Sequence, residues 1–77
     1  MINKEKYLAE FKKVLAEIYP MGNYTKAQLT GNDSLVRNKM DNFVMRNYGE
    51  YYKNELKQLI AYKNSLYNEC VEELVLQ

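Results

Sequence analysis

Residues 50–75, EYYKNELKQLIAYKNSLYNECVEELV, contain no Pro and no Gly, and one continuous helix is the simplest structure they support. At 100° per residue with Leu56 at zero, Leu56, Ile60, Tyr67, Val71 and Leu74 share one side with Tyr52, Leu59, Leu66 and Cys70. They form a continuous apolar arc about 140° wide, which follows the 3.6 period of a straight helix better than a heptad seam. Lys63 interrupts the arc, and Tyr51 and Tyr62 extend its edge. Asn54, Lys57, Ala61, Asn64, Ser65, Asn68 and Glu72 occupy the polar side.

Upstream, shorter helices are expected. Tyr7, Leu8, Phe11, Val14, Leu15, Ile18 and Tyr19 recur at three- and four-residue spacing, which predicts a helix over 4–19. Asn3 is its expected cap, and Pro20 stops it. Met21-Gly22-Asn23 reads as a turn. Thr25 and Gln28 fit a capping box that opens a short helix over 26–30, with Gly31 as a left-handed terminator. Asn32 or Asp33 is the expected cap of a helix over 34–47. That helix buries Val36, Met40, Phe43, Val44 and Asn47 and exposes Ser34, Arg37, Asn38, Asp41, Asn42 and Met45. Gly49 marks the corner before the last segment. The expected fold is all-α: a small three- to four-helix bundle with a long C-terminal helix, in one helical domain over residues 1–77.

Composition excludes several chemistries. Eleven Lys and Arg against ten Asp and Glu give a net charge of +1, and there is no His and one Cys. General acid–base catalysis near neutral pH most often uses His, so no enzymatic activity is expected. One Cys and no His cannot assemble a zinc, haem or iron–sulfur ligand set, and no cofactor or small-molecule substrate is expected. Glu69, Glu72 and Glu73 form the one acidic cluster, and they read as a solvated face. Asn32-Asp33-Ser34 carries too few oxygen ligands for calcium, and the isolated glycines make no phosphate loop. Cys70 lies within the apolar arc and reads as a buried, inert thiol. No apolar run exceeds four residues, so no membrane association is expected and the cytoplasm is the expected compartment. Asn, Lys, Tyr, Met, Ile and Phe make up 35 of 77 residues, against 10 for Gly, Ala, Arg and Pro. This bias toward A/T-rich codons implies an AT-rich genome, such as a Firmicute or one of its phages or plasmids.

Two function classes remain. The first is a protein-interaction module. A helix over 50–75 would run about 40 Å and the first helix about 24 Å, so the bundle should leave the far end uncovered. Tyr67, Val71, Leu74, Val75 and Leu76 form that end, and Tyr48, Tyr51 and Tyr62 flank the arc. Exposed apolar surface of this kind marks an interaction site. Tyr adds large contact area at low entropic cost. Tyr48, Tyr51, Tyr62, Tyr67, Val71, Leu74 and Val75 are therefore the candidate partner-binding residues. The partner is a second copy, as a homodimer, or a larger protein that the chain occludes or tethers as a regulator or inhibitor.

The second class is nucleic-acid binding. Between Thr25 and Arg46 a short capped helix, a Gly turn and a second amphipathic helix resemble the helix-turn-helix arrangement. Ala27 and Gly31 keep the spacing of its small residue and turn, and Met40 fills a later apolar position. Asn32 and Arg37 depart from the pattern, standing where apolar residues usually pack. The resemblance implies a small DNA-binding regulator that dimerises through its last helix. Its contacts would come from Lys26, Arg37, Asn38, Lys39, Asn42 and Arg46. Asp41 among them, and the near-neutral charge, weigh against it.

Overall fold

The computed structural model describes residues 2–75, in which four helices and no strand are present among the described residues. Helix α1 spans Lys4–Ile18 and α2 spans Lys26–Thr30. Helix α3 spans Leu35–Tyr48 and α4 spans Leu56–Val75. The all-α bundle expected from the periodicity is therefore present.

Local chemistry sets each boundary. The Asn3 side chain accepts the Lys6 N–H at 3.1 Å and caps α1. At the other end the Tyr19 N–H still donates to the Leu15 carbonyl, and Pro20 ends the ladder. Gly22 turns the chain at φ 74°, a left-handed conformation that a side chain disfavours. The α2 capping box is complete in both directions, with Thr25 Oγ1 accepting the Gln28 N–H and Gln28 Oε1 accepting the Thr25 N–H.

Four expectations need correction around α3. Gly31 is extended, at φ −67° and ψ 159°, and is not a left-handed terminator. Ser34, not Asn32 or Asp33, caps α3, its hydroxyl accepting the Arg37 N–H at 3.1 Å. That hydroxyl also meets Tyr67 Oη, so Ser34 is buried and not on the polar face. Asn47 is exposed and returns its amide to the Phe43 carbonyl at 2.8 Å, while Val36, Met40 and Val44 carry the buried stripe.

The largest correction concerns α4, which begins at Leu56 and not at Glu50. Residues 49–54 are turns. The Tyr52 N–H donates to the Tyr48 carbonyl and the Glu55 N–H to the Tyr52 carbonyl, three residues back. The Glu55 carbonyl then accepts from Gln58 and Leu59 and starts the new helix. The physical reason is burial: the corner turns Tyr52 inward, its ring 4.9 Å from Tyr51 and 6.4 Å from Tyr62. It also reverses the chain so that α4 runs back along α3. Tyr67 lies beside Ser34 and Arg37 at the start of α3, and Lys63 reaches Asp41 further along it. Helix α1 is likewise antiparallel to α3, since Glu17 meets Lys39 and the Asn3 N–H donates to Tyr48 Oη.

The core gathers Tyr7, Phe11, Val14, Leu29, Val36, Met40, Val44, Leu59, Tyr67, Cys70 and Val71. Tyr67 joins all four helices. Its ring packs 5.2 Å from Phe11 and lies under the Arg37 guanidinium at 4.9 Å. Its hydroxyl donates to the Leu29 carbonyl and sits 3.2 Å from Ser34 Oγ. Tyr7 is equally buried, but its hydroxyl has no partner among the described residues.

The two tyrosines should respond oppositely to loss of one oxygen. Tyr67→Phe strands a buried carbonyl and a buried serine, so unfolding titrations should show a loss of about 1–3 kcal/mol. Tyr7→Phe removes an unpaired buried hydroxyl and should leave stability unchanged or raise it.

Candidate protein-docking surface

The seven residues expected to bind a partner fall into two groups. Tyr67 and Val71 are buried within the protein's own core, and Leu74 is half-buried against it. The C-terminal half of α4 is thus sheltered, contrary to the expected uncovered end. The reason is that α2 covers it: Leu29 packs under Tyr67, and Lys26 pairs with Glu72. Lys4 of α1 closes the other side by pairing with Glu69 at 3.2 Å and Glu73 at 2.7 Å. Val75 remains exposed, and Leu76 lies outside the described residues.

The opposite end of the same helix is open. Leu56 and Ile60 lie on the arc that is buried further along, yet they are 47% and 43% exposed. Leu59 between them is fully buried, so the first two turns of α4 rest on the bundle by one edge. Lys63 meets Asp41 and Tyr67 meets Arg37, a register that carries Leu56 and Ile60 toward the end of α3, whereas exposed Met45 lies in the groove between α1 and α3. Tyr51 is 77% exposed and Tyr62 45%, on either side of buried Tyr52. Tyr48 is half-buried, its hydroxyl accepting from the Asn3 backbone. Of the sequence candidates, Tyr51 and Tyr62 therefore belong to the open surface. Leu56 and Ile60 were missed because the arc assigns both to the core. Their exposure depends on how far α3 extends beside them, which no local pattern carries.

The nucleic-acid candidates are dispersed. Arg37 is half-buried over the Tyr67 ring with its Nε wholly enclosed, a correction to its place on the open face. Lys26 pairs with Glu72 and Lys39 with Glu17. Asn38, Asn42 and Arg46 are exposed on α3, and the groove beside Asn42 and Arg46 is lined by Glu10 and Glu17 as well as Lys13. A phosphate backbone there would meet carboxylates and cations together.

Among the described residues no group of three His, Cys, Asp or Glu side chains is placed to hold a metal ion. Among them, too, no helix is long and apolar enough to cross a membrane. Cys70 is buried, and burial, reinforced by Glu73, raises its thiol pKa to about 11. Burial likewise raises the pKa of Tyr7 and Tyr67 above the ordinary phenol value. No family model matches the sequence, and no curated protein or solved structure is similar to it.

These shifts fix the pH response. Each group is held in its neutral, protonated form, so its contribution is fully present below its unfolded value, 9.0 for the thiol and 10.0 for the phenols. The contribution is lost as pH rises, because the unfolded chain then releases protons that the folded chain retains. With no His, no side chain of ordinary pKa has its midpoint between about pH 6 and 8. Denaturant titrations should give a flat stability profile across that window and a decline above pH 9. Cys70→Ala should delay the onset of the decline toward pH 10.

Proposed function

We propose that this chain is a non-enzymatic protein-interaction module that docks a protein partner on the open N-terminal half of α4. One observation carries the reading. The apolar arc of α4 is covered at Tyr67, Cys70 and Val71 and uncovered at Leu56 and Ile60, two turns away on the same helix. Half-open Leu and Ile side chains beside exposed Tyr51 and Tyr62 give the mixture of apolar area and aromatic rings that protein interfaces favour. Glu50, Lys53, Glu55 and Lys57 surround them, and a rim of mixed sign sets orientation more than affinity.

In this reading the module acts by occlusion or tethering, as a small regulator or inhibitor. The AT-rich codon bias fits a phage or plasmid origin, and a single, buried Cys70 fits the cytoplasm. The helix-turn-helix alternative draws less support, since Arg37, Lys26 and Lys39 are engaged within the chain.

The test compares the wild type with Leu56→Ser/Ile60→Ser, both in affinity capture from a host lysate and in sedimentation equilibrium. The double variant should lose at least tenfold in partner retention or self-association, with thermal stability close to that of the wild type. A wild type that remains monomeric at high concentration, and retains nothing that the variant fails to retain, would refute the reading.

A further inference from the structure

We propose that the groove between α1 and α3 is a self-association surface, in which a second copy of this chain lays its α1 antiparallel to the first about a twofold axis. The inference is independent of the open flank of α4, since α4 contributes no residue to the lining of this groove.

One wall of the groove is a single stripe of α1. Lys6, Glu10, Lys13 and Glu17 follow one another at spacings of four, three and four residues. That spacing holds them within about 60° of each other around the helix. All four line the groove, which runs from Lys6 and Asn47 at one end to Glu17 and Lys39 at the other. Glu17 pairs across it with Lys39 at 3.6 Å. Lys6, Glu10 and Lys13 have no ion pair among the described residues.

The order of these charges selects the occupant. From its N-terminus the stripe runs plus, minus, plus, minus, and from its C-terminus it runs minus, plus, minus, plus. An antiparallel copy therefore sets Lys6 against the partner subunit's Glu17 and Glu10 against the partner subunit's Lys13, and the twofold axis repeats both pairs. The centre of this pairing falls between Phe11 and Lys12, the middle of Lys4–Ile18, so the two helices overlap along their whole length. A parallel copy in register sets like on like. An antiparallel slip of one turn sets Glu10 on Glu10 or Lys13 on Lys13. A polyanion such as nucleic acid meets a carboxylate at every second position of the stripe.

The rest of the groove fits the same helix. Lys39 and Arg46 of α3 stand on the other wall, so each incoming glutamate has a cation on both sides. Ala9 and Ala16 are exposed beside the stripe, two turns apart, and let the two α1 axes approach closely. Met45, 47% exposed in the groove, supplies apolar area that the incoming helix covers. Exposed ion pairs add little affinity, whereas like charges set face to face exclude a wrong arrangement. The stripe thus fixes register and orientation, and the apolar contacts hold the pair.

The experiment compares, by sedimentation equilibrium, the wild type with Lys6→Glu/Lys13→Glu and Glu10→Lys/Glu17→Lys. It adds an equimolar mixture of the two double variants and the fourfold reversal that combines them. The wild type should dimerise at high protein concentration. Each double variant sets like charges across the whole stripe and should lose at least tenfold in dimer affinity, whereas the mixture should form a heterodimer. The fourfold reversal keeps both the alternation and the net charge of the wild type, so it should dimerise as the wild type does. That result separates pairing along the stripe from attraction between net charges. If a double variant fails to fold, the single reversals Glu10→Lys and Lys13→Glu and their mixture decide in the same way. A wild type that stays monomeric, a dimer indifferent to the reversals, or a mixture no tighter than its components overturns the inference. Leu56→Ser/Ile60→Ser should leave this dimer intact. A dimer lost with Leu56 and Ile60 but kept through the reversals belongs to α4, and then the docking-surface reading stands and this one falls.

Discussion

The buried side chain of Tyr67 is the joint on which the bundle depends. It is the point where an α1 ring, an α2 carbonyl, an α3 hydroxyl and an α3 guanidinium converge on one residue of α4. Such a residue has few tolerable displacements. The hydroxyl must reach Leu29 and Ser34 together, and the ring must stay between Phe11 and Arg37. A chain of 77 residues buries only about 60% of its unfolded surface, so fixing four helices through one polar-tipped ring is an economical source of specificity.

That joint decides which end of α4 is free. Tyr67 lies in the C-terminal half of the helix, and every companion it recruits lies around that half. Helix α2 is only five residues long and sits against Tyr67 and Glu72. A helix of 20 residues spans about 30 Å, and among the described residues α2 is the one short helix laid against it, beside Tyr67 and Glu72 and not beside Leu56 and Ile60. The surplus of apolar surface at one end is thus a consequence of where the anchor is placed.

Much of this was legible in the residues themselves. Helix existence, the Asn3 cap, the reciprocal Thr25–Gln28 box and the stop at Pro20 are local events, decided by side chains within four positions of each other. The buried stripe of α4 was legible for the same reason, since a helix face is a property of spacing. What escaped was set by distant partners. Ser34 reads as a surface residue until Tyr67, 33 residues away, is brought to it. Gly49 reads as the corner and does end α3, but the turns run on to Asn54 without a further Pro or Gly and follow from burying Tyr52. The last helix is six residues shorter than its breaker-free sequence suggests, and the stretch expected to be uncovered, Tyr67 and Val71, is buried while Leu56 and Ile60 are not. Periodicity gives the face that wants cover; it does not say where along the axis the cover runs out.

The corner shows why local and distant forces need not agree. Residues 50–54 have no strong helix breaker, yet among their N–H groups only that of Tyr52 keeps a four-residue backbone bond. Tertiary burial of Tyr52 and of the Tyr67 half of α4 bends them nonetheless. A single chain can satisfy that burial only by folding back, and in doing so it leaves Leu56 and Ile60 half in water.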